Sequence, residues 1–138
     1  MKRIVMLIGM AILLAVMSAC GNGGGSSATT ADVVQQFKDD GLELGETSDL
    51  PKKEFGNMRK EGTRILIPSI GDDAGGRIFL FDNEKDLAKA KAYYDDLGDA
   101  GSMFYSHTHQ AGNFLLQMSG DMSDEDFQKY ADSLDKVK

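Results

Sequence analysis

The chain has 138 residues, 41% of them hydrophobic and 27% charged, with 22 acidic against 15 basic residues for a net charge of −7, one cysteine and no tryptophan. A single cysteine excludes a disulfide framework, a cysteine-rich zinc site and an iron–sulfur cluster, each of which needs several sulfurs. The acidic balance leaves no basic footprint to neutralise phosphates, which argues against nucleic acid as a partner.

Lys2 and Arg3 precede an unbroken apolar or glycine run from Ile4 to Val16, followed by Met17, Ser18, Ala19 and Cys20. A charged start, an apolar stretch and small residues before a cleavage point form the layout of a secretory signal. A helix made from that run reaches only about 20 Å, short of the ~30 Å hydrocarbon layer, so a permanent membrane span is the weaker reading. Ser18 and Ala19 directly before the only cysteine resemble a bacterial lipoprotein signal, with Met17 standing where leucine is usual. The resemblance implies cleavage after residue 19, acyl chains such as diacylglycerol and palmitate on Cys20, and a protein anchored to the cell membrane on its extracytoplasmic face. An ordinary signal peptide with a chance cysteine is the competing reading.

Each buried methylene contributes about 0.8 kcal/mol, and one chain alone holds only marginally, so firm anchoring needs two or more. Loss of Lys2 and Arg3 leaves thirteen basic residues against 22 acidic ones, a net −9 that anionic lipid repels. Gly21 to Thr30, rich in Gly and Ser, reads as a flexible tether of roughly 18 Å reach. The expected organisation is a signal peptide over 1–19, a tether over 20–30 and one globular domain over 31–138.

Within that domain, Thr29 or Thr30 is placed to cap a helix carrying Val33, Val34 and Phe37, which Gly41 ends in a left-handed conformation. Leu42, Leu44 and Glu46 alternate as a short strand. From Thr47 to Gly62 the apolar period lapses, and Pro51, Gly56 and Gly62 punctuate a loop. Arg64 to Ile70 and Arg77 to Phe81 form a hairpin around Gly71 to Gly76, with Pro68 marking an edge or a bulge. Asp82 or Asn83 caps a second helix whose Leu87, Ala90, Tyr94 and Leu97 share one face, ended by Gly98. A second hairpin joins Ser102 to His109 with Phe114 to Met118 around Gly112 and Asn113. Ser123 then caps a last helix, with Met122 placed against Phe127 and a buried face of Phe127, Tyr130, Leu134 and Val137.

Tight turns make the strands antiparallel, and helices with one apolar stripe must cover a sheet. The expected class is α+β: an antiparallel sheet of about five strands with two to three helices packed on one face. No G-x-G-x-x-G or G-x-x-x-x-G-K-[ST] pattern connects a strand to a helix, so neither nucleotide fingerprint is present and no cofactor is expected.

Candidate chemistry centres on His107 and His109, the only histidines, which a spacing of two puts on one side of a strand, where imidazoles can chelate a transition metal. No third ligand is singled out among the carboxylates. A three-residue turn would group Phe104, Phe114, Leu116 and Met118 as core and leave Tyr105, His107 and His109 outward as a row suited to partner contact. A two-residue turn would reverse this, and the three-residue turn is the one expected. The acidic clusters Asp72–Asp73, Asp95–Asp96–Asp99 and Asp121–Asp124–Glu125–Asp126 lack the calcium-loop ligand order and read as caps and solvated ends. Lys52, Lys53, Arg59 and Lys60 form a basic island suited to an anionic polymer or an acidic partner. No serine stands in a nucleophile-elbow pattern, and no catalytic residue is assigned.

The segments ADVVQQFKDDGLELGE, EGTRILIPSIGDDAGGRIFLFDNEKDLAKAKAYYDDLG and LLQMSGDMSDEDFQKYADSLDKVK together resemble a family of small Gram-positive lipoproteins of unknown function, often labelled stress proteins. The resemblance covers nearly the whole domain and implies a surface lipoprotein without transferable active-site residues. The expected function is a non-enzymatic interaction module with a protein partner in the cell envelope, in envelope stress or in surface exclusion of a mobile element. Metal binding through His107 and His109, and a small hydrolase, are the alternatives.

Overall fold

The computed structural model describes residues 28–137. The signal sequence, Cys20, the tether up to residue 27 and Lys138 lie outside them. The first helix, α1 (Thr30–Asp39), opens with a reciprocal cap: the Thr29 hydroxyl accepts from the Asp32 N–H, and the Asp32 carboxylate accepts from the Thr29 N–H at 2.7 Å. It closes at Gly41, whose φ of 73° lets the Leu42 N–H reach the Phe37 carbonyl and its own N–H reach Lys38, the double bond of a Schellman turn. The domain begins earlier than Ala31. Thr30 is buried, its N–H and hydroxyl both donate to the Glu61 carboxylate, and Ala28 packs on the core, so 28–30 belong to the fold and not to the tether.

Leu42, Leu44 and Glu46 form no strand. The Schellman turn takes up Leu42, and only Gly45 and Glu46 reach Leu66 by backbone hydrogen bonds before β1 (Thr47–Asp49) pairs with β2 (Arg59–Leu66). Thus the expected loop from Thr47 to Gly62 contains a strand and the start of another. The β1 side chains are all exposed and no buried face imprints a period on them. β2 pairs with β3 (Gly75–Phe81), and Pro68, neither on an edge strand nor in a bulge, opens a short 3-10 turn beyond β2 where its missing N–H is harmless. Asn83 caps α2 (Glu84–Ala100), accepting from the Asp86 N–H at 2.9 Å. The helix runs past Gly98, whose bare Cα makes room for the Tyr105 ring: a Cβ there would stand 3.3 Å from its Cδ2. β4 (Ser106–Ala111) and β5 (Phe114–Ser119) follow, then α3 (Asp124–Leu134), whose Ser123 cap accepts from the Asp126 N–H at 3.1 Å.

The five strands lie in the order β1-β2-β3-β5-β4, every neighbouring pair antiparallel. The fold is α+β, as expected. Because β3 and β4 both oppose β5, they run parallel to each other, and α2 crosses between them as a split β-α-β unit. One sheet face carries Ile65, Ile78, Leu116 and Met118 under Val33 and Phe37 of α1 and Tyr130 and Leu134 of α3. The other carries Phe79, Phe81 and Leu115 under Leu87, Ala90 and Tyr94 of α2. Two helices therefore share one face, and the third makes the architecture three-layered, not two-layered. Alternating β3 residues supply both cores, which is why its sequence reads as nearly continuous apolar.

Helices α1 and α3 are tied at their C-terminal ends. The Asp40 carboxylate accepts from the Ser133 hydroxyl at 2.6 Å and from Lys136 Nζ at 2.8 Å. Lys136 and Ser133 hold its pKa at about 2, below the ordinary 3.8. A depressed carboxylate pKa contributes stability above the unfolded value that is lost as pH falls through the folded one. The expected result is that Asp40→Asn unfolds more easily than the parent at neutral pH, and that the difference disappears as pH falls from about 4 to about 2. Urea midpoints measured across that range check this, and a difference persisting below pH ~2 would contradict it.

Candidate binding groove

On the face occupied by α2, one line of directly opposed residues crosses all five strands: Ser48, Arg64, Arg77, Gln117 and Thr108. α2 covers the apolar end of this face over Phe79, Phe81 and Leu115. The polar row runs beside it, and at the β4 end the Thr108 hydroxyl donates to Asp95 of α2 at 3.0 Å.

Arg64 and Arg77 face each other across β2 and β3, an arrangement that like charges disfavour unless each has a counter-charge. Each has one. Arg77 Nε pairs with Glu54 at 2.6 Å, and Arg64 Nη2 pairs with Asp73 at 2.7 Å. Arg77 Nη1 also donates to the Gln117 amide oxygen at 3.1 Å, and the Gln117 amide nitrogen donates to the Ser106 hydroxyl at 2.9 Å. The buried Gln117 amide is thus satisfied at both ends, which holds the Arg77 guanidinium in place.

Two adjoining cavities share Arg77, Ser106 and Gln117 and so form one groove. The first, of about 430 Å³, is walled by Phe55, Tyr93, Tyr94 and Leu97. The second, of about 320 Å³, runs past Gly75, Ser119 and the Met103–Tyr105 turn. Phe55 has a φ of 60°, the only non-glycine residue among those described in the left-handed region, a conformation costing roughly 1–2 kcal/mol. Edge-to-face contacts hold it there, with ring centroids 5.6 Å from Phe79, 5.4 Å from Tyr93 and 5.9 Å from Tyr94. Burial pushes the Tyr94 phenol up to about 12, so it stays neutral.

The groove also gathers the exposed apolar surface. Tyr93 (51% exposed), Met103 (84%), Phe104 (53%) and Tyr105 (47%) are the exposed large hydrophobics of the described residues, and all four line it. Exposed apolar side chains gathered around a polar floor are characteristic of interaction sites.

The histidines lie elsewhere. Ala111 opposes Phe114, so the β4–β5 turn has two residues, with Gly112 at φ 56° in the first central position that suits a II′ turn. His107 therefore pairs with Met118 and His109 with Leu116, on the α1–α3 face and not outward. The expected three-residue turn is corrected, and with it the buried place assigned to Phe104, which sits exposed in a 3-10 turn. His107 is 5% exposed and stacks on Phe127 at 4.8 Å. Its Nε2 lies 2.8 Å from the Met122 carbonyl, so Nε2 carries a hydrogen, while Nδ1 lies 3.3 Å from the Tyr105 hydroxyl and 3.6 Å from the Asp124 carboxylate. His109 Nε2 lies 2.9 Å from Asp135. Both Nε2 atoms are committed to protein acceptors, neither ring bonds a serine, and no group of three or more His, Cys, Asp or Glu among the described residues is placed to hold a metal. Of the expected contact row, only Tyr105 lies on the exposed surface.

His107→Ala is expected to lower stability by about 2 kcal/mol, because it strips a buried carbonyl of its donor, whereas His109→Ala, at a half-exposed pair, should cost under ~1 kcal/mol. Urea unfolding of both variants checks the ranking, and equal losses would contradict it.

The basic island divides. Arg59 turns inward, its guanidinium donating to the carbonyls of Glu54, Leu50 and Pro51, and pins the 50–58 loop that presents Phe55. Lys53 lines the groove, while Lys52 and Lys60 border a separate cavity. The acidic clusters take up local partners: Asp73 with Arg64, Asp95 with Lys91 and Thr108, and Asp126 with Ser123 and Lys129.

No protein-family model, curated protein or solved structure matches the chain. Among the described residues no helix is long and apolar enough to cross a membrane.

Arg64, Arg77, Gln117, Phe55, Tyr93 and Met103 were not legible as a site. Part of the signal was present: Tyr93 and Tyr94 are adjacent, and on a helix neighbours point about 100° apart, so one must leave the core. Met103, Phe104 and Tyr105 after Gly101 is likewise a run of large apolar residues too short to be buried on both sides. Their convergence on Arg77 depends on strand order, which local pattern does not carry.

Proposed function

We propose that this chain is a non-enzymatic, lipid-anchored binding module of the extracytoplasmic membrane face, held by acyl chains on Cys20, and that its partner is an envelope protein seated in the groove around Arg77. The gathering of the exposed large hydrophobics on that one groove carries the reading. An apolar rim around a satisfied polar floor is the surface a partner desolvates, and the arginine supplies orientation. A membrane anchor fits such a module, because it confines binding to the envelope surface. Envelope stress and surface exclusion are the settings this reading suits.

The test has two arms, both in cells making the full chain. A labelled fatty acid should be incorporated into the parent and not into Cys20→Ala. Photo-crosslinking residues at Tyr93, Met103 and Phe104 should trap one and the same envelope protein, while residues at Gln35 of α1 and Lys129 of α3, on the other side of the sheet, should not. Equal trapping from both faces, or none from the groove, would overturn the proposal.

A further inference from the structure

Resting on that reading, we infer that the groove receives an extended acidic segment of the partner, with two carboxylates two residues apart over Arg64 and Arg77 and apolar side chains on either side of them.

Charge supports it first. The groove is lined by Lys53, Arg64 and Arg77 against Glu54 and Asp73, a net positive strip on a chain whose overall charge is −7. The two arginines are also available in different ways. The Arg64–Asp73 pair is open to water, with side chains 36% and 87% exposed, so an incoming carboxylate can replace Asp73 on the guanidinium without stranding a buried charge. Arg77 commits Nε to Glu54 and Nη1 to Gln117, and among the described residues Nη2 has no acceptor.

Spacing supports it next. Arg64 and Arg77 are directly opposed on neighbouring strands, which places their backbones about 5 Å apart, while side chains two apart on one face of an extended peptide are separated by about 6.6 Å. Long guanidinium side chains span that difference. Apolar side chains for such a peptide to meet line both parts of the groove, Met103 and Phe104 in the part that holds Arg64 and Phe55 and Tyr93 in the part that adjoins it at Arg77. A phosphate-rich polymer would satisfy the arginines but gain nothing from these apolar walls, and Met103 and Phe104 are among the most exposed hydrophobics.

The experiment uses the full lipidated chain in detergent micelles and fluorescence anisotropy. The probe is a labelled peptide with leucine, glutamate, glutamate and phenylalanine at alternate positions and serine between them. Saturable binding is expected. It should weaken by at least about tenfold when both glutamates become glutamine, and again in Arg64→Met at a half-exposed position or in Phe104→Ser at an exposed one, with melting temperatures measured alongside and expected to stay close to the parent's. Absence of peptide binding, or equal affinity for the glutamine peptide, would overturn the inference. So would poly(glycerol phosphate) binding as tightly as the peptide and indifferently to Phe104→Ser, which would assign the groove to an anionic polymer. If crosslinking from the groove still traps an envelope protein while the peptide fails, the segment's chemistry is wrong and the binding module stands. If both fail, the module itself falls.

Discussion

Phe37→Ala is expected to lower the stability of the domain by about 4 kcal/mol, in the range for removing a buried phenylalanine. Phe37 has no exposure, and its ring meets the edge of Tyr130 at a centroid distance of 5.3 Å and an interplanar angle of 89°. It also stands at the C-terminal end of α1, where its carbonyl accepts the Leu42 N–H of the closing turn. Tyr130 cannot tilt to fill the space, because its hydroxyl donates to the Glu43 carbonyl at 2.7 Å and burial holds that phenol neutral, with a pKa of about 12. A domain of this size has only about 5–15 kcal/mol in total. Urea unfolding should show a much lower midpoint with an unchanged slope. A shift worth less than about 1 kcal/mol would mean that α1 does not seal this core.

Gly76→Ala should come next, at about 3 kcal/mol, the upper end for overpacking. A Cβ on Gly76 would lie 2.2 Å from the Gln117 carbonyl oxygen and 2.4 Å from Met118 Sδ. The methionine can move aside, but the carbonyl is a ladder group of β5 and cannot. Forcing β3 from β5 at this point also shifts Gln117 relative to Arg77, the pair on the groove floor. Gly41→Ala is the natural control, since no atom lies within 4 Å of its Cβ and only the φ of 73° opposes it, a cost of roughly 1 kcal/mol. Thermal melts should rank Gly76→Ala well below Gly41→Ala. The reverse order would mean that β3 and β5 tolerate separation at Gly76.

Gly76 also shows what a motif can and cannot say. With Gly75 it breaks an apolar strand, and no phosphate-binding pattern surrounds it. The structure gives the pair a reason: a Cβ on Gly75 would stand 2.0 Å from the Ile65 carbonyl oxygen, so both glycines admit close approach of neighbouring backbones. That reason lies across the sheet, in Ile65 for Gly75 and in Gln117 for Gly76, and not in the residues that flank the pair.

The helices were legible because their information is local. Thr29 with Asp32, Asn83 with Asp86 and Ser123 with Asp126 each put a cap acceptor three residues before the N–H that it satisfies, and the apolar spacing of Leu87, Ala90 and Tyr94 marks a face whatever it packs against. The hairpins were legible from their turn glycines. β1 was not, because an exposed three-residue edge strand has no buried side to impose alternation.

Residue order alone thus determined the capped helices, the two antiparallel hairpins and the α+β class, since these follow from hydrogen bonds and apolar periods within a few residues. Tertiary structure decided which way each strand faces. With a side-chain period of two, the difference between a two-residue and a three-residue turn at Gly112 turned His107 and His109 from an outward row into the α1–α3 core face, and exposed Phe104. It also decided the groove, for Arg64, Arg77, Gln117 and Ser106 become neighbours only when four strands are laid side by side in register.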